Sequence, residues 1–475
     1  MKIVFPDDFP DRLSPMLVKE LRQGLRTRAF VGVFLTLQIM LGIILLGAGT
    51  TSSSDNVGST ISNIIFIFFS VAVIIIQPMR GMGTLSSEIK DNTIDMMVLT
   101  RLSAWRIVVG KWSAIVSQSA LILATIVPYL ILRYFFGGMN LVGEVVVLIL
   151  IFITSATLTA ITVGLSAAPS IILRSILPIV GIPVAGYMVL AVLAFNVIGR
   201  GGSIFDFCSF ETSESKITIS LFLVACMYYS FFLLSIGTTL IAPYAENYST
   251  LRRMIALVVS LVAAMIGIIF ITEVEIMISA YSMIFTPVFA ISLTEFGILV
   301  PPVVRKFSRY GLVGKFLGVF LLPGWATGVF FCYLLALIAI ITSFFINASY
   351  WNNGTIIIGL SLLSSMVFPA ILINFFKMHG PSRVSNYILI SIATGIISLT
   401  LLAIAESLSN GAFLWLFVWI PPVAMSMTAV GKIDDDAILI ATAIINIIYF
   451  IIFCLIAIRD FAKSMRELNH SGSSI

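Results

Sequence analysis

The chain has 475 residues, of which 59% are hydrophobic and 10% are charged, and its formal net charge is +5. Soluble domains contain about 25% charged residues, so this chain cannot cover a water-exposed surface. Apolar runs of roughly 20 residues recur along it, and each is long enough to cross a bilayer core of about 30 Å. The composition therefore excludes a soluble protein and predicts an all-α polytopic transmembrane helical bundle.

The N-terminal segment, residues 1–28, is polar and predicts a short amphipathic helix that lies at the membrane surface. Ser14 can cap this helix, and Pro15 suits its first position. Leucines recur every four residues, at Leu17, Leu21 and Leu25. The polar side chains that we assign to the surface helix are Lys19, Glu20 and Arg22. The alternative is a positively charged flank that only sets the topology.

Thirteen apolar runs follow this segment. They cover residues 29–48, 61–78, 112–136, 142–166, 171–198, 217–243, 254–272, 276–300, 316–346, 355–376, 387–408, 412–430 and 437–458. Cytoplasmic loops carry an excess of Lys and Arg, and a cytoplasmic N-terminus with twelve crossings places all but four of the 27 basic residues inside. Both termini are then cytoplasmic, including the tail 459–475. The run 412–430 contains Pro421 and Pro422, so we predict that it re-enters the membrane without crossing.

Few ionisable residues interrupt the runs. Arg133, Glu144 and Glu295 lie near the ends of their runs, so we expect these side chains to extend toward the interface. From the buried amides we expect hydrogen bonds between helices; these amides are Gln118, Asn196, Asn374 and Asn446. The four cysteines lack the spacing of a disulfide framework or a zinc site.

The polar segment between the second and third runs, residues 79–111, is the most informative part of the sequence, and we call it the coupling segment. Asn92 can cap a helix whose first turn contains Asp95. Ser103 can cap a second helix that continues through Trp105 and Lys111 into the third span. Two short helices with a break between them would form a compact cytoplasmic projection that a soluble partner can bind.

The coupling segment contains the stretch SSEIKDNTIDMMVLTRLSAWRIVVGK, which resembles the cytoplasmic segment of type-2 ATP-binding-cassette (ABC) exporter permeases. The matching positions are Glu88, Thr93, Ile94, Leu99, Thr100, Leu102, Ser103, Ile107, Val108, Gly110 and Lys111. The stretch LVKELRQGLRTRAF, residues 17–30, is similar to the start of these permeases. The resemblance covers residues 14–136, and the first six runs agree in number and orientation with the six-span unit of the family, here residues 29–243.

The resemblance implies that the coupling segment docks on an ATPase subunit and transmits its motion to the spans. The docking residues that it implies are Glu88, Asn92, Thr93, Ile94, Leu99, Arg101, Leu102, Ser103, Trp105 and Arg106. The second group of spans, residues 254–458, departs from the pattern, because its inner loop at 301–315 has no counterpart of the Glu-to-Ser stretch. This group is either a degenerate second copy of the six-span unit or a set of accessory spans.

The chain itself lacks the means to hydrolyse ATP. A phosphate-binding loop ends in Gly-Lys-Ser or Gly-Lys-Thr, whereas Gly110-Lys111 is followed by Trp112 and Gly314-Lys315 by Phe316. We therefore expect a chain that is not an enzyme and has no cofactor, metal or catalytic residue of its own. ATP and Mg would be bound by the partner subunit.

The leading hypothesis is a permease subunit of an ABC exporter in a bacterial cytoplasmic (inner) membrane. It would form the substrate pathway, and we expect no nucleic-acid partner. Either one chain supplies both permease halves, or it pairs with itself or with a similar permease; the single docking segment favours pairing. An ion- or proton-coupled secondary transporter is the alternative, although such carriers normally contain more buried charge. A membrane scaffold that transports nothing is a third hypothesis. The transported substrate stays open.

Overall fold

The structure, a computed structural model, describes residues 15–50, 57–91, 102–135, 140–198, 204–242, 246–271, 274–295, 304, 307, 309, 311–346, 353–378, 382–407, 416–429 and 436–472. Every secondary-structure element in these ranges is a helix, which confirms the predicted all-α fold. Twelve of the described helices are long and apolar enough to cross a membrane, so the chain is a polytopic membrane protein, and its described part contains the predicted number of candidate spans. The chain divides into two compact units, unit 1 (Met1–Ala242) and unit 2 (Pro243–Ile475), and each contains six of these helices.

Unit 1 contains one short helix before its first long helix. Its α-helices of four or more residues are α1 (Pro15–Leu25), α2 (Arg28–Thr50), α3 (Val57–Ser70), α4 (Thr84–Lys90), α5 (Ala104–Tyr134), α6 (Leu141–Leu165), α7 (Leu177–Ile198), α8 (Ile204–Phe207) and α9 (Ser213–Ile241). A π-helical turn, Val71–Ile76, continues α3 in the same apolar span. The 31 residues of α5 give it a length of about 46 Å. It is therefore longer than a bilayer core of about 30 Å, and part of it extends beyond the hydrocarbon.

Apolar side chains of α2, α3, α5 and α6 form the core of unit 1. Leu41, Phe66 and Ile122 are fully buried there. Glu144, in the first turn of α6, is also buried, and it accepts a hydrogen bond of 3.0 Å from the Ser62 hydroxyl. The prediction that Glu144 extends to the interface is therefore wrong. The helix dipole stabilises a carboxylate near a helix N-terminus, and this helps the buried Glu144 side chain to stay charged. The position of Glu144 near the end of its apolar run does not by itself distinguish a buried side chain from one that reaches the interface.

Unit 2 begins with two long helices and continues with a short one. Its helices are α10 (Ser249–Phe270), α11 (Val274–Ser292), α12 (Gly311–Leu321), α13 (Trp325–Ile346), α14 (Asn353–Phe375), α15 (Ser382–Ser407), α16 (Pro421–Ala429) and α17 (Asp436–Gly472). The prediction of a single run at 316–346 is wrong, because α12 and α13 are separate helices. Pro323 cannot continue the first helix, and Gly324 has a φ of 131°, a conformation that favours glycine.

The predicted re-entrant run, 412–430, is described from residue 416 to residue 429. It contains α16, whose nine residues extend for about 14 Å. This length is too short to cross a bilayer core of about 30 Å. The helix packs against α14 and α15, and the run is not one of the twelve spans.

The two units share one order of elements along the chain. In each, a short helix precedes the third long helix, namely α4 in unit 1 and α12 in unit 2. A second short helix precedes the sixth long helix, namely α8 in unit 1 and α16 in unit 2. This order favours a degenerate repeat over a set of accessory spans, and the repeat stays a prediction.

Two of the buried amides make the interhelical hydrogen bonds that were expected. Asn446 of α17 donates to the Ser361 hydroxyl of α14 over 2.9 Å. Asn374 of α14 accepts a hydrogen bond of 2.9 Å from the Arg383 guanidinium of α15. The predictions for Arg133 and Asn196 concern side chains that lie outside the described residues.

Candidate functional site

One end of unit 1, which we call the α1 face, is formed by α1, α4 and the N-terminal part of α5. Met16 and Leu21 on the apolar side of α1 are each 8% exposed. Met16 packs in a cluster with Ile107 and Val108 of α5. A Cβ atom at Gly110 would lie 3.0 Å from Met16 Cγ, so the glycine allows the two helices to approach closely. The predicted short N-terminal helix is therefore present as α1, and its location at the membrane surface stays a prediction.

An ion-pair cluster joins the three elements of the α1 face. Lys111 Nζ of α5 lies 2.8 Å from Glu88 Oε1 of α4 and 3.2 Å from Glu20 Oε1 of α1. The side chain of Lys111 is 6% exposed, that of Glu88 is 13% exposed and that of Glu20 is 19% exposed. An ammonium group this well buried has to be paired, because its desolvation is costly. These three residues, the Lys111 cluster, therefore hold α1 and α4 against the first two turns of α5.

Arg80 holds the connection between α1 and α2 at the same end of unit 1. Its guanidinium donates to the Gly24 carbonyl over 3.3 Å and to the Thr27 hydroxyl over 2.9 Å. It also donates to the side-chain oxygen of Gln118 in α5, which confirms the interhelical bond expected of this amide. The guanidinium carbon lies 5.6 Å from the ring centre of Phe30. No sequence pattern pointed to Arg80, because Gly24 is 56 residues away from it along the chain.

Four of the predicted docking residues lie at the start of α5: Leu102, Ser103, Trp105 and Arg106. The helix begins at Ala104, so Ser103 occupies the predicted cap position. Trp105 is half-buried, and its ring centre lies 5.5 Å from that of Phe231 in α9. Arg106 is exposed, so its guanidinium is available to a partner.

Glu88, another predicted docking residue, lies in α4, a helix of seven residues that the sequence pattern did not predict. Gly83 precedes the helix with a φ of 75°. Leu85 anchors the helix, because its side chain is fully buried and its N–H donates to the Ser166 hydroxyl over 3.3 Å. The remaining predicted docking residues lie outside the described residues; they are Asn92, Thr93, Ile94, Leu99 and Arg101.

The α1 face also carries exposed basic side chains. They are Lys19, Arg22, Arg26, Lys90 and Arg106. Of the three polar residues predicted for the surface helix, Lys19 and Arg22 are thus exposed, whereas Glu20 belongs to the Lys111 cluster. An excess of positive charge attracts an acidic protein surface or anionic lipid headgroups.

Unit 2 contains a second ion-pair cluster, between the start of α10 and the residues that follow α11. Arg252 Nη2 lies 2.9 Å from Glu295 Oε1, and Arg253 Nη2 lies 2.7 Å from Glu295 Oε2. We call these three residues the Arg253 cluster. The prediction that Glu295 extends to the interface is wrong, because its side chain is only 6% exposed. Two guanidinium groups compensate the carboxylate, and a charge can be buried when it is paired in this way.

Arg253 also binds the connection between α12 and α13. Its guanidinium donates to the carbonyl oxygens of Phe320, Leu322 and Gly324 over distances of 2.8, 2.6 and 2.9 Å. It donates to the Thr327 hydroxyl over 3.1 Å as well. The Arg253 side chain thus connects three segments of unit 2 and stabilises their arrangement.

The two clusters differ in their exposure to solvent. The carboxylates of the Lys111 cluster are 13% and 19% exposed, whereas the three side chains of the Arg253 cluster are between 1% and 6% exposed. Separating an ion pair is less costly where water can solvate the separated charges. Of the two clusters, the Lys111 cluster is therefore the one whose elements can move apart more easily.

Comparisons of the chain with protein-family models, with curated proteins and with solved structures found no match. Function is therefore inferred from the α1 face and from the sequence resemblance of residues 14–136.

Proposed function

We propose that this chain is the permease subunit of an ABC exporter and that a separate ATPase subunit binds its α1 face. The Lys111 cluster carries the proposal, because it joins α1, α4 and α5. The sequence resemblance associates these same elements with ATPase docking, through residues such as Glu88, Ser103 and Arg106. The twelve apolar helices of the described residues are also compatible with a membrane transporter. On this proposal the α1 face lies in the cytoplasm.

In this mechanism, movement imposed on α4 passes to α5 through the ion pair between Glu88 and Lys111. The hydrogen bonds of a continuous helix make α5 stiff, so a displacement of its first turns also moves residues deeper in the membrane. The stiff part of α5 ends near Pro128, the proline inside this helix. Proline removes one helical hydrogen bond, and helices bend at such positions. ATP-driven dimerisation of the bound ATPase subunits would supply the movement.

The proposal is tested by co-purification with an ATPase subunit. The tagged chain is purified in detergent from the cells that produce it, and the proteins that co-purify with it are searched by mass spectrometry for an ATPase subunit. Arg106→Glu reverses an exposed charge at the start of α5, and we expect it to remove the ATPase from the complex. The ATP hydrolysis rate of the complex in lipid vesicles should fall in parallel.

Lys216→Glu is the matched control for this experiment. Lys216 is an exposed basic residue in the first turn of α9. It lies about 22 Å along that helix from Phe231, which contacts Trp105 at the α1 face. We expect this variant to retain the ATPase. If Arg106→Glu retains as much ATPase as Lys216→Glu, the ATPase does not dock through this part of the α1 face.

A proton-coupled carrier is the second candidate, and the burial of Glu144 favours it. Carboxyl groups within membrane spans often belong to proton relays. In vesicles that contain the chain alone, a carrier would admit protons, and a trapped pH-sensitive dye would report slower entry for Glu144→Gln. A permease without its ATPase gives no such signal, so this assay separates the two candidates.

A further inference from the structure

Unit 2 contains a cavity of about 120 Å³ between α11, α13 and α14. Its walls are almost wholly apolar, and its deep part is formed by buried side chains such as Phe285 of α11 and Leu363 of α14. An apolar cavity of about 150 Å³ stays dry and binds benzene, so this cavity can hold a hydrocarbon segment of about five carbons. The apolar walls of the cavity therefore favour a hydrocarbon ligand.

The polarity of the walls changes along the cavity. Ser343 and Thr355 carry hydroxyl groups and line it. Both lie within one turn of a helix end, since α13 ends at Ile346 and α14 begins at Asn353. Leu363 lies eight residues beyond Thr355 in α14, which places it about 12 Å deeper along the helix axis. The cavity is therefore polar near the helix ends and apolar at depth, as is each leaflet of a bilayer.

The cavity also has a side that faces away from unit 2. Ile340 and Ile356 line it and are nevertheless 43% and 37% exposed. Because α13 and α14 are both apolar spans, the medium at these side chains is the hydrocarbon of the bilayer. A lipid chain can thus enter sideways without passing through water.

We infer that the cavity binds a segment of one acyl chain of a bilayer phospholipid, with the ester end of the lipid near Ser343 and Thr355. Half of a bilayer core of about 30 Å matches the roughly 12 Å between the hydroxyl groups and Leu363. Dispersion contacts with the cavity walls retain the acyl chain, because its transfer from the bilayer to the cavity involves no hydrophobic gain. This inference is independent of the ATPase proposal.

Photo-crosslinking of the full chain tests the inference. The protein is reconstituted in vesicles of phosphatidylcholine that carries a diazirine midway along one acyl chain, irradiated, and mapped by mass spectrometry of its peptides. We expect label on Phe285, whose side chain is 0% exposed and which surrounding lipid cannot reach. Label confined to outward-facing positions such as Met283, which is 58% exposed, overturns the inference.

A filled cavity provides the matched control. A Cβ atom at Gly359 has one neighbour within 4 Å, Ile278 Cδ1 at 3.8 Å. Gly359 lines the cavity, so Gly359→Leu adds a side chain there whose Cβ atom makes no close contact. A Cβ atom at Gly395 of α15 has no neighbour within 4 Å, and Gly395→Leu leaves the cavity open. We expect Gly359→Leu to lose the label on Phe285 and Gly395→Leu to keep it.

Equal labelling of Phe285 in both glycine variants overturns the inference. Gly359→Ala, which adds one methyl group, replaces Gly359→Leu if the larger side chain prevents folding, and it should lower the label on Phe285. The wild-type labelling pattern decides the question without any variant, because Phe285 lines the cavity and its side chain is 0% exposed.

Discussion

Replacement of Arg253 by methionine removes a guanidinium that is 1% exposed and lies 2.7 Å from Glu295. Methionine fills part of the same space, so the change acts mainly on charge and hydrogen bonding. Three carbonyl oxygens also lose this donor, those of Phe320, Leu322 and Gly324. Removing one partner of a buried ion pair costs about 3–5 kcal/mol, and a buried acceptor left without its donor costs about 1–3 kcal/mol.

The contributions of interacting groups do not add. Arg252 continues to compensate Glu295 at 2.9 Å, so the loss comes mainly from the three carbonyl acceptors, and we expect about 4 kcal/mol in total. In domains of 150–250 residues, 1 kcal/mol shifts the Tm by about 2–4 °C, so we expect a decrease of roughly 8–16 °C.

Thermal unfolding of the purified protein in detergent measures this decrease, with the folded fraction taken from size-exclusion chromatography after heating. Arg459→Met is the matched control, because Arg459 is 77% exposed and its pair with Asp460 contributes about 0–1 kcal/mol. Arg253→Lys keeps the charge without the guanidinium fork and should fall between the two. A Tm for Arg253→Met within about 2 °C of the Arg459→Met value would refute the structural role of this cluster.

Three further predictions concern other sites. Lys111→Met removes the cation that Glu20 and Glu88 share, so we expect faster hydrogen–deuterium exchange of α1 amides and unchanged exchange in α10. Burial raises the pKa of the Cys208 thiol, so less of the reactive thiolate is present at a given pH. Maleimide, which reacts with the thiolate, should therefore label Cys208 slowly at pH 7 and rapidly after unfolding in detergent. Gly328→Ala places a Cβ atom 1.9 Å from the Ser292 carbonyl oxygen, and we expect a loss of about 1–3 kcal/mol. The same change at Gly395, which has open space, should be neutral or slightly stabilising in a heating assay.

Local patterns predicted two of the three elements of the α1 face, α1 and the start of α5, whereas α4 was not predicted. Helix α1 follows from the leucine stripe and from Pro15, and α5 begins directly after the predicted cap at Ser103. These signals involve residues a few positions apart, so the sequence contains them directly. The twelve apolar spans are predictable for the same reason, because length and hydropathy are local properties.

The ion pairs could not be predicted in the same way. Lys111 lies 91 residues from Glu20, and no spacing rule connects two helices over that distance. The prediction for Glu295 was wrong for a related reason, since a charged side chain near the end of an apolar run can either reach water or pair with an opposite charge. Its partners, Arg252 and Arg253, lie at the start of another helix. Only the packing of α10 on α11 decides between the two outcomes.

The Lys111 cluster makes one lysine the shared counter-ion of two helices. An ammonium group has three N–H donors, so it can bind Glu20 and Glu88 together or turn wholly toward either one. When α4 moves away, Lys111 keeps Glu20, and no buried charge is left alone. The arrangement therefore lets one helix leave while the other stays attached to α5, and the α1 face can be stable at rest and still change shape.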